Sequence, residues 1–138
     1  MATYTRDQVR ARNAAAFVRA IAEAHPDLPN APSKVRKRYN TVVHKLPVLI
    51  RTNGLLLTAA FLESKAGEDG EKLGTKLAVQ HLQRHLEGAE LDIPAGRLLS
   101  ERLAGLDAER YLIVQEEAVM CAGWQKRFAA AVFGEAAT

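Results

Sequence analysis

The stretch that decides the fold runs from Lys37 to Gly67, KRYNTVVHKLPVLIRTNGLLLTAAFLESKAG. Tyr39, Val42, Val43 and Leu46, with Val35 just upstream, fall on one face at about 100° per residue, which predicts an amphipathic helix. Ser33 offers a hydroxyl to cap its start. Pro47 has no N–H and disfavours helical geometry at Leu46. A kink or restart is expected there, with Pro47 in the first turn of a short PVLIRT helix. Asn53-Gly54 supplies left-handed or cap geometry. Leu55 to Leu62 is almost wholly apolar, which predicts a central helix buried on most sides.

Helical periodicity continues on both sides. From Thr5 to Ala24, Val9, Asn13, Ala16, Phe17, Ala20, Ile21 and Ala24 share a face, with Thr5 as N-cap and Asp7 in the first turn. HPDLPNAP, with three prolines, is a loop. After an AGEDGE turn, Lys72 to Leu86 forms a helix with Leu73, Leu77, Leu82 and Leu86 inward. EGAELDIP breaks it, and Ala95 to Ala104 is a short helix ended by Gly105. Asp107 caps a last helix from Ala108 to about Phe133, with Leu112, Val119, Trp124, Phe128 and Val132 as its core positions. Neither strand alternation nor a repeat is visible. The expectation is an all-α, single-domain bundle of about six helices spanning residues 1–138.

A chain of 138 residues is long enough to bury one core without disulfides or metals. Cys121 is the only cysteine, so no intrachain disulfide can form, and a reducing interior suits it. No secretory signal pattern and no membrane-spanning apolar run stand out, which predicts a soluble cytoplasmic protein with no membrane role.

Charge is distributed unevenly. Met1 to Leu62 holds ten Lys and Arg against three Asp and Glu, a net +7, whereas Glu63 to Thr138 holds nine against thirteen, a net −4. Between Leu28 and Leu62 there is no acidic residue, yet Lys34, Arg36, Lys37, Arg38, Lys45 and Arg51 all lie there. Along the helix, Lys34, Arg38, Thr41 and Lys45 form one stripe, and Lys37, Asn40 and His44 a second beside it. Lys34 to Lys45 spans roughly 16 Å at about 1.5 Å per residue. Like charges four apart repel, and a phosphate backbone along the stripe would relieve them while releasing counterions. Carboxylates from the acidic second half are the competing source of relief.

No constellation points to catalysis. His81 and His85 stand four apart, a spacing that can bind metal, but no third ligand is evident, so they are expected as partly exposed surface histidines. Glu116 and Glu117 point about 100° apart on a helix and do not converge. Cys121 has no partner base and is expected as a buried, inert thiol. Trp124 and Phe128 suit a core better than a base-stacking platform. No catalytic residue, metal site or cofactor is expected.

The pattern Y-x-x-x-V-x-K-L-P-x-L-I-x-x-N-G-L followed by T-A-A-F-L-x-S-K, here Tyr39 to Lys65, closely resembles the small α-helical subunit of the type III-B CRISPR effector, the Cmr RAMP-module complex. YLIVQEEAVMCAGWQKRFAAA, with its Trp-x-x-Arg-Phe-Ala pattern, is similar to that family's last helix. With the N-terminal helix, the resemblance covers most of the chain. It implies a small non-catalytic bundle that stacks head to tail as a minor filament in an antiviral RNA-guided complex. The filament would run beside the RAMP backbone subunits, touch the large polymerase-like subunit, and follow the backbone of target RNA paired to guide RNA. The RNA-facing candidates are Lys34, Arg38 and Lys45, with Lys37 and Arg51 as lesser ones. Two other functions remain open: a free-standing helical nucleic-acid-binding regulator, and a purely structural adaptor whose basic face docks on an acidic protein.

Overall fold

The computed structural model describes residues 3–136. Among them, six helices follow one another: α1 (Arg6–Ala24), α2 (Lys34–Asn53), α3 (Leu55–Lys65), α4 (Gly70–Gly88), α5 (Leu99–Ala104) and α6 (Ala108–Phe133). The all-α bundle expected from periodicity is the observed architecture. Helix α2 is central, with its longest seams against α6 and α4. Helix α1 lies on α6, while α3 rests on α4, α5 and α2.

The helix starts follow local chemistry. Thr5 and Gln8 form a reciprocal capping box at α1, Ser33 accepts from the Arg36 N–H at α2, and Asp107 accepts from the Arg110 N–H at α6. Helix α3 has no capping side chain of its own, because Gly54 occupies that position. Its free N–H groups are served by α6 instead: Leu55 N donates to Gln115 Oε1 and Leu56 N to the Tyr111 hydroxyl, each at 2.8 Å. Gly54 sits at φ +85°, and a Cβ there would lie 3.3 Å from that hydroxyl. The tight α2–α3 junction and its remote cap therefore require glycine.

Helix α2 passes through Pro47 without restarting, contrary to the expected break. Pro47 leaves the Val43 carbonyl without its usual helical donor, a defect of about 3 kcal/mol. Leu46 and Ile50 on either side are fully buried, and burial of such side chains contributes about 1.5–3 kcal/mol each. Packing thus outweighs the proline.

The expectation for α3 is corrected as well. Leu55, Thr58, Ala59 and Leu62 face inward, but Leu57 and Phe61 are 60% and 52% exposed. A continuous apolar run carries no facial signal, and α3 has neighbours on one side only. Helix α6 turns a different face inward than expected: Val114, Ala118, Val119, Cys121, Ala122, Gln125 and Ala129 are buried, while Leu112 and Val132 face solvent. The small residues let α2 and α1 approach closely, and Trp124 and Phe128 stack on each other at its half-buried edge. In α1 the buried face is Ala14, Val18 and Ile21, with Val9 exposed. Helix α5 begins at Leu99, later than expected, because residues 95–98 stay non-helical. At the α2–α4 crossing, a Cβ on Gly74 would fall 2.5 Å from the Val35 carbonyl oxygen and 3.0 Å from Tyr39 N. The two backbones are nearly in contact there.

Candidate nucleic-acid interface

The exposed side of α2 carries the predicted cations, but they separate into distinct environments. Arg38 and Lys45 line a cleft of about 310 Å³ where α2 meets α3 and α4. Thr41 lies between them, Leu49 and Leu62 contribute apolar walls, and α3 adds Phe61 and Lys65. A second depression continues past Arg38 and Lys65 to Lys72 and Glu71 on α4. Lys34 lies on the same helical stripe outside these clefts, and Lys37 and Arg51 are exposed elsewhere on α2.

Relief of charge by the acidic half is realised at one member of the stripe. Arg38 pairs with Glu71 on α4 at 3.0 Å, with both side chains substantially exposed. Such a pair contributes about 0–1 kcal/mol. Among the described residues, Lys34, Lys37, Lys45 and Arg51 make no ion pair. Arg36 is turned away, its guanidinium 4.6 Å over the Phe133 ring and 4.0 Å from Asp27.

Of the second stripe, only Lys37 stands at the surface. Asn40 is buried and donates to the Gly134 carbonyl at 3.2 Å. His44 Nδ1 donates to the Asn40 carbonyl, and its Nε2 lies 3.5 Å from Glu135. Both side chains hold the chain leaving α6, a contact between residues about ninety apart that α2's own sequence does not announce.

The two histidines expected at the surface are core residues, His81 only 4% and His85 only 2% exposed. Hydrogen bonding makes their burial tolerable. His81 Nδ1 is 2.7 Å from the Tyr39 hydroxyl, and Phe17 stacks on its ring at 4.5 Å. Burial, with a smaller effect of Arg84, pushes its pKa down to about 4, so the ring is neutral at pH 7. His85 bridges Asn13 at 3.0 Å and Glu117 at 2.8 Å. Arg10 clamps the Glu117 carboxylate through two hydrogen bonds of 2.8 Å. Burial pushes the Glu117 carboxyl up, and hydrogen bonds from Arg10 and His85 overcome this and hold it below its ordinary value. Glu116 is exposed and takes no part. This network ties α1, α4 and α6 together with its charges already paired. Cys121 is fully buried, and burial pushes its thiol up to about 12, leaving no thiolate at neutral pH. Among the described residues, no three His, Cys, Asp or Glu side chains are grouped to hold a metal ion, and no helix is long and apolar enough to cross a membrane.

A family model described as CRISPR-associated protein (Cas_Cmr5) matches residues 6–132, from the first turn of α1 to the end of α6. The chain belongs to the Cmr5 family. It is 33% identical over 131 residues to the CRISPR system Cmr subunit Cmr5 of Thermus thermophilus, covering 95% of this chain and 98% of that one. The crystal structure of a CRISPR-associated Cmr5 family protein from Thermus thermophilus superposes with a TM-score of 0.71 at 29% identity, covering 94% of this chain and 98% of the other. The motif from Tyr39 to Lys65 lies wholly within the matched segment.

Lys65, Lys72 and Phe61 were missed by residue-level reasoning. Lys65 and Lys72 belong to the half whose sum is acidic, which conceals two cations beside the basic helix. Phe61 is hidden in an apolar run assigned to the core. The spacing of Phe61 and Lys65, four apart on one helix, was the available signal.

Proposed function

We propose that this chain is a non-catalytic subunit of a type III-B CRISPR (Cmr) complex and meets the backbone of guide-paired target RNA through the basic side of α2. The observation that carries the RNA contact is the convergence of Lys45 and Lys65, neither in an ion pair among the described residues, with the Glu71-paired Arg38 on one cleft. Such cations bind phosphates without reading sequence, so they position the RNA and leave specificity to base pairing. Within the complex, the proposed neighbours are the RAMP backbone subunits, the large polymerase-like subunit and further copies of this chain stacked end to end. Exposed Val48, Leu57, Leu112 and Ile113 supply apolar surface for such protein contacts. The proposed location is the cytoplasm. A regulator that reads base edges is disfavoured, because Asn40, the amide in the middle of α2, is turned inward onto Gly134.

The test is the triple variant Lys34→Ala, Arg38→Ala, Lys45→Ala, incorporated into the complex and shown to be folded. Target-RNA affinity is measured across a salt series. It should fall equally for unrelated target sequences. The log–log salt slope should flatten by roughly 0.7–0.9 for each phosphate interaction removed. Unchanged affinity and slope would overturn the assignment and favour an adaptor whose α2 cations meet an acidic protein.

A further inference from the structure

We propose that Phe61 is a stacking platform for one unpaired base of single-stranded RNA, with Lys45 and Lys65 holding the flanking phosphates; this rests on the reading that the α2–α3–α4 cleft meets RNA. Phe61 stands between two depressions. One is the basic cleft with Arg38, Lys45 and Lys65, and the other is a mostly apolar hollow formed with Leu49, Asn53, Leu57 and Thr58. Phe61 is 52% exposed, while the inward face of α3 is taken by Leu55, Thr58, Ala59 and Leu62. The Lys65 ammonium lies 5.8 Å from the ring centroid, so cation and π face are presented together.

That pairing selects the occupant. A purely apolar partner laid on Phe61 would strip water from Lys45 and Lys65 and return nothing to their charges. A nucleotide satisfies both features at once, with a π face for the ring and a phosphate for the ammonium. Bases inside a duplex are stacked on one another and cannot reach a side chain projecting from a helix surface. The ring therefore addresses an unpaired or splayed-out nucleotide, whatever its identity. Backbone cations alone bind single strands and duplexes alike; the aromatic adds a preference for the single strand.

The experiment uses the full chain with end-labelled oligouridine and oligoadenosine RNA, and with a duplex RNA of the same length, at fixed salt. Phe61→Ala should weaken both single strands by between about 5- and 150-fold, the range for losing one base–aromatic stack, and change duplex binding less than about twofold. Phe61→Trp should restore single-strand binding, and its added indole fluorescence should be quenched by the single strands and not by the duplex. Trp124, the one natural tryptophan, provides the background. A companion variant, Lys45→Ala with Lys65→Ala, should weaken single strand and duplex together. If that companion loses affinity while Phe61→Ala does not, the stacking proposal is overturned and the RNA reading stands. If neither variant changes the binding of any RNA, the RNA reading itself fails. If Phe61→Ala leaves RNA binding intact but releases the chain from the purified complex, the ring is a protein contact and the proposal is wrong. Thermal melting of each variant confirms that affinities are compared between folded proteins.

Discussion

Gly74→Ala adds one methyl group where α2 and α4 cross. The new Cβ would lie 2.5 Å from the Val35 carbonyl oxygen, 2.8 Å from Arg38 Cβ and 3.0 Å from Tyr39 N. Favourable carbon contacts fall at about 3.5–4.0 Å, so the helices must separate by roughly 1 Å or twist past each other. None of the three atoms is the end of a flexible side chain that can swing aside. Overpacking costs about 1–3 kcal/mol and belongs here at the upper end or beyond, whereas replacing a mid-helix glycine by alanine contributes about 1 kcal/mol in the opposite direction. The expected net loss is about 2 kcal/mol or more, a fall in Tm of at least roughly 7 °C for a chain of this size. Gly123→Ala on α6 is the control, since nothing lies within 4 Å of its added Cβ. It should raise stability by about 0.5–1 kcal/mol from helix propensity alone. Chemical denaturation and calorimetry read both variants. A Gly74→Ala protein that melts at or above its parent would refute the close crossing. Because Arg38 stands at the contact, the proposed RNA reading expects the wedge also to weaken RNA binding although no charge is removed.

Two further outcomes follow from the same geometry. Gly54→Val should destabilise the fold by about 1–3 kcal/mol, because a β-branched residue is strained at φ +85° and its Cβ crowds Tyr111 and Gln115; equal unfolding midpoints would argue against the remote cap. His81 titrates near 4 in the fold against about 6.5 when unfolded, so its contribution is fully present above pH 6.5 and is lost as pH falls toward 4; this limb, roughly 2–4 kcal/mol, should be absent from a stability–pH profile of a folded His81→Gln variant.

The fold was legible wherever one local signal acted alone. Ser33, Thr5 and Asp107 mark helix starts by capping chemistry contained within four residues, and all three caps are observed. The stripe of Tyr39, Val42, Val43 and Leu46 is separated from the charges by angle and could face only one way. Legibility failed where two signals competed or none was present. At Pro47 a local defect opposed the burial of Leu46 and Ile50, and burial prevailed. In α3 every position from Leu55 to Leu57 is leucine, so hydrophobicity does not specify the inward face. Tyr111 and Gln115 specify it from α6 by seizing the first two amides of the helix.

The candidate site shows the same limit in its charges. A helical wheel treats all polar residues as outward, yet a polar side chain faces inward once a partner meets it there. Asn40 and His44 have such partners at Gly134 and Glu135, and His81 and His85 have theirs at Tyr39, Asn13 and Glu117. Each partner lies on another helix or in the chain beyond α6, tens of residues away in sequence. Lysines differ, because a solvated ammonium on a flexible stem loses much when buried and gains little from one neutral acceptor. Lys34, Lys37 and Lys45 accordingly stay outside as sequence reasoning placed them, and Arg51 is exposed too, while the amide and imidazole beside them turn in. The positive surface keeps its α2 cations and loses only the polar Asn40 and His44 between them. It also extends across the helices, since Lys65 and Lys72 lie beside Arg38 from α3 and α4, with Glu71 among them and paired to Arg38. On the proposed reading, RNA that meets both Lys45 on α2 and Lys65 on α3 passes over Phe61, which lines the same cleft.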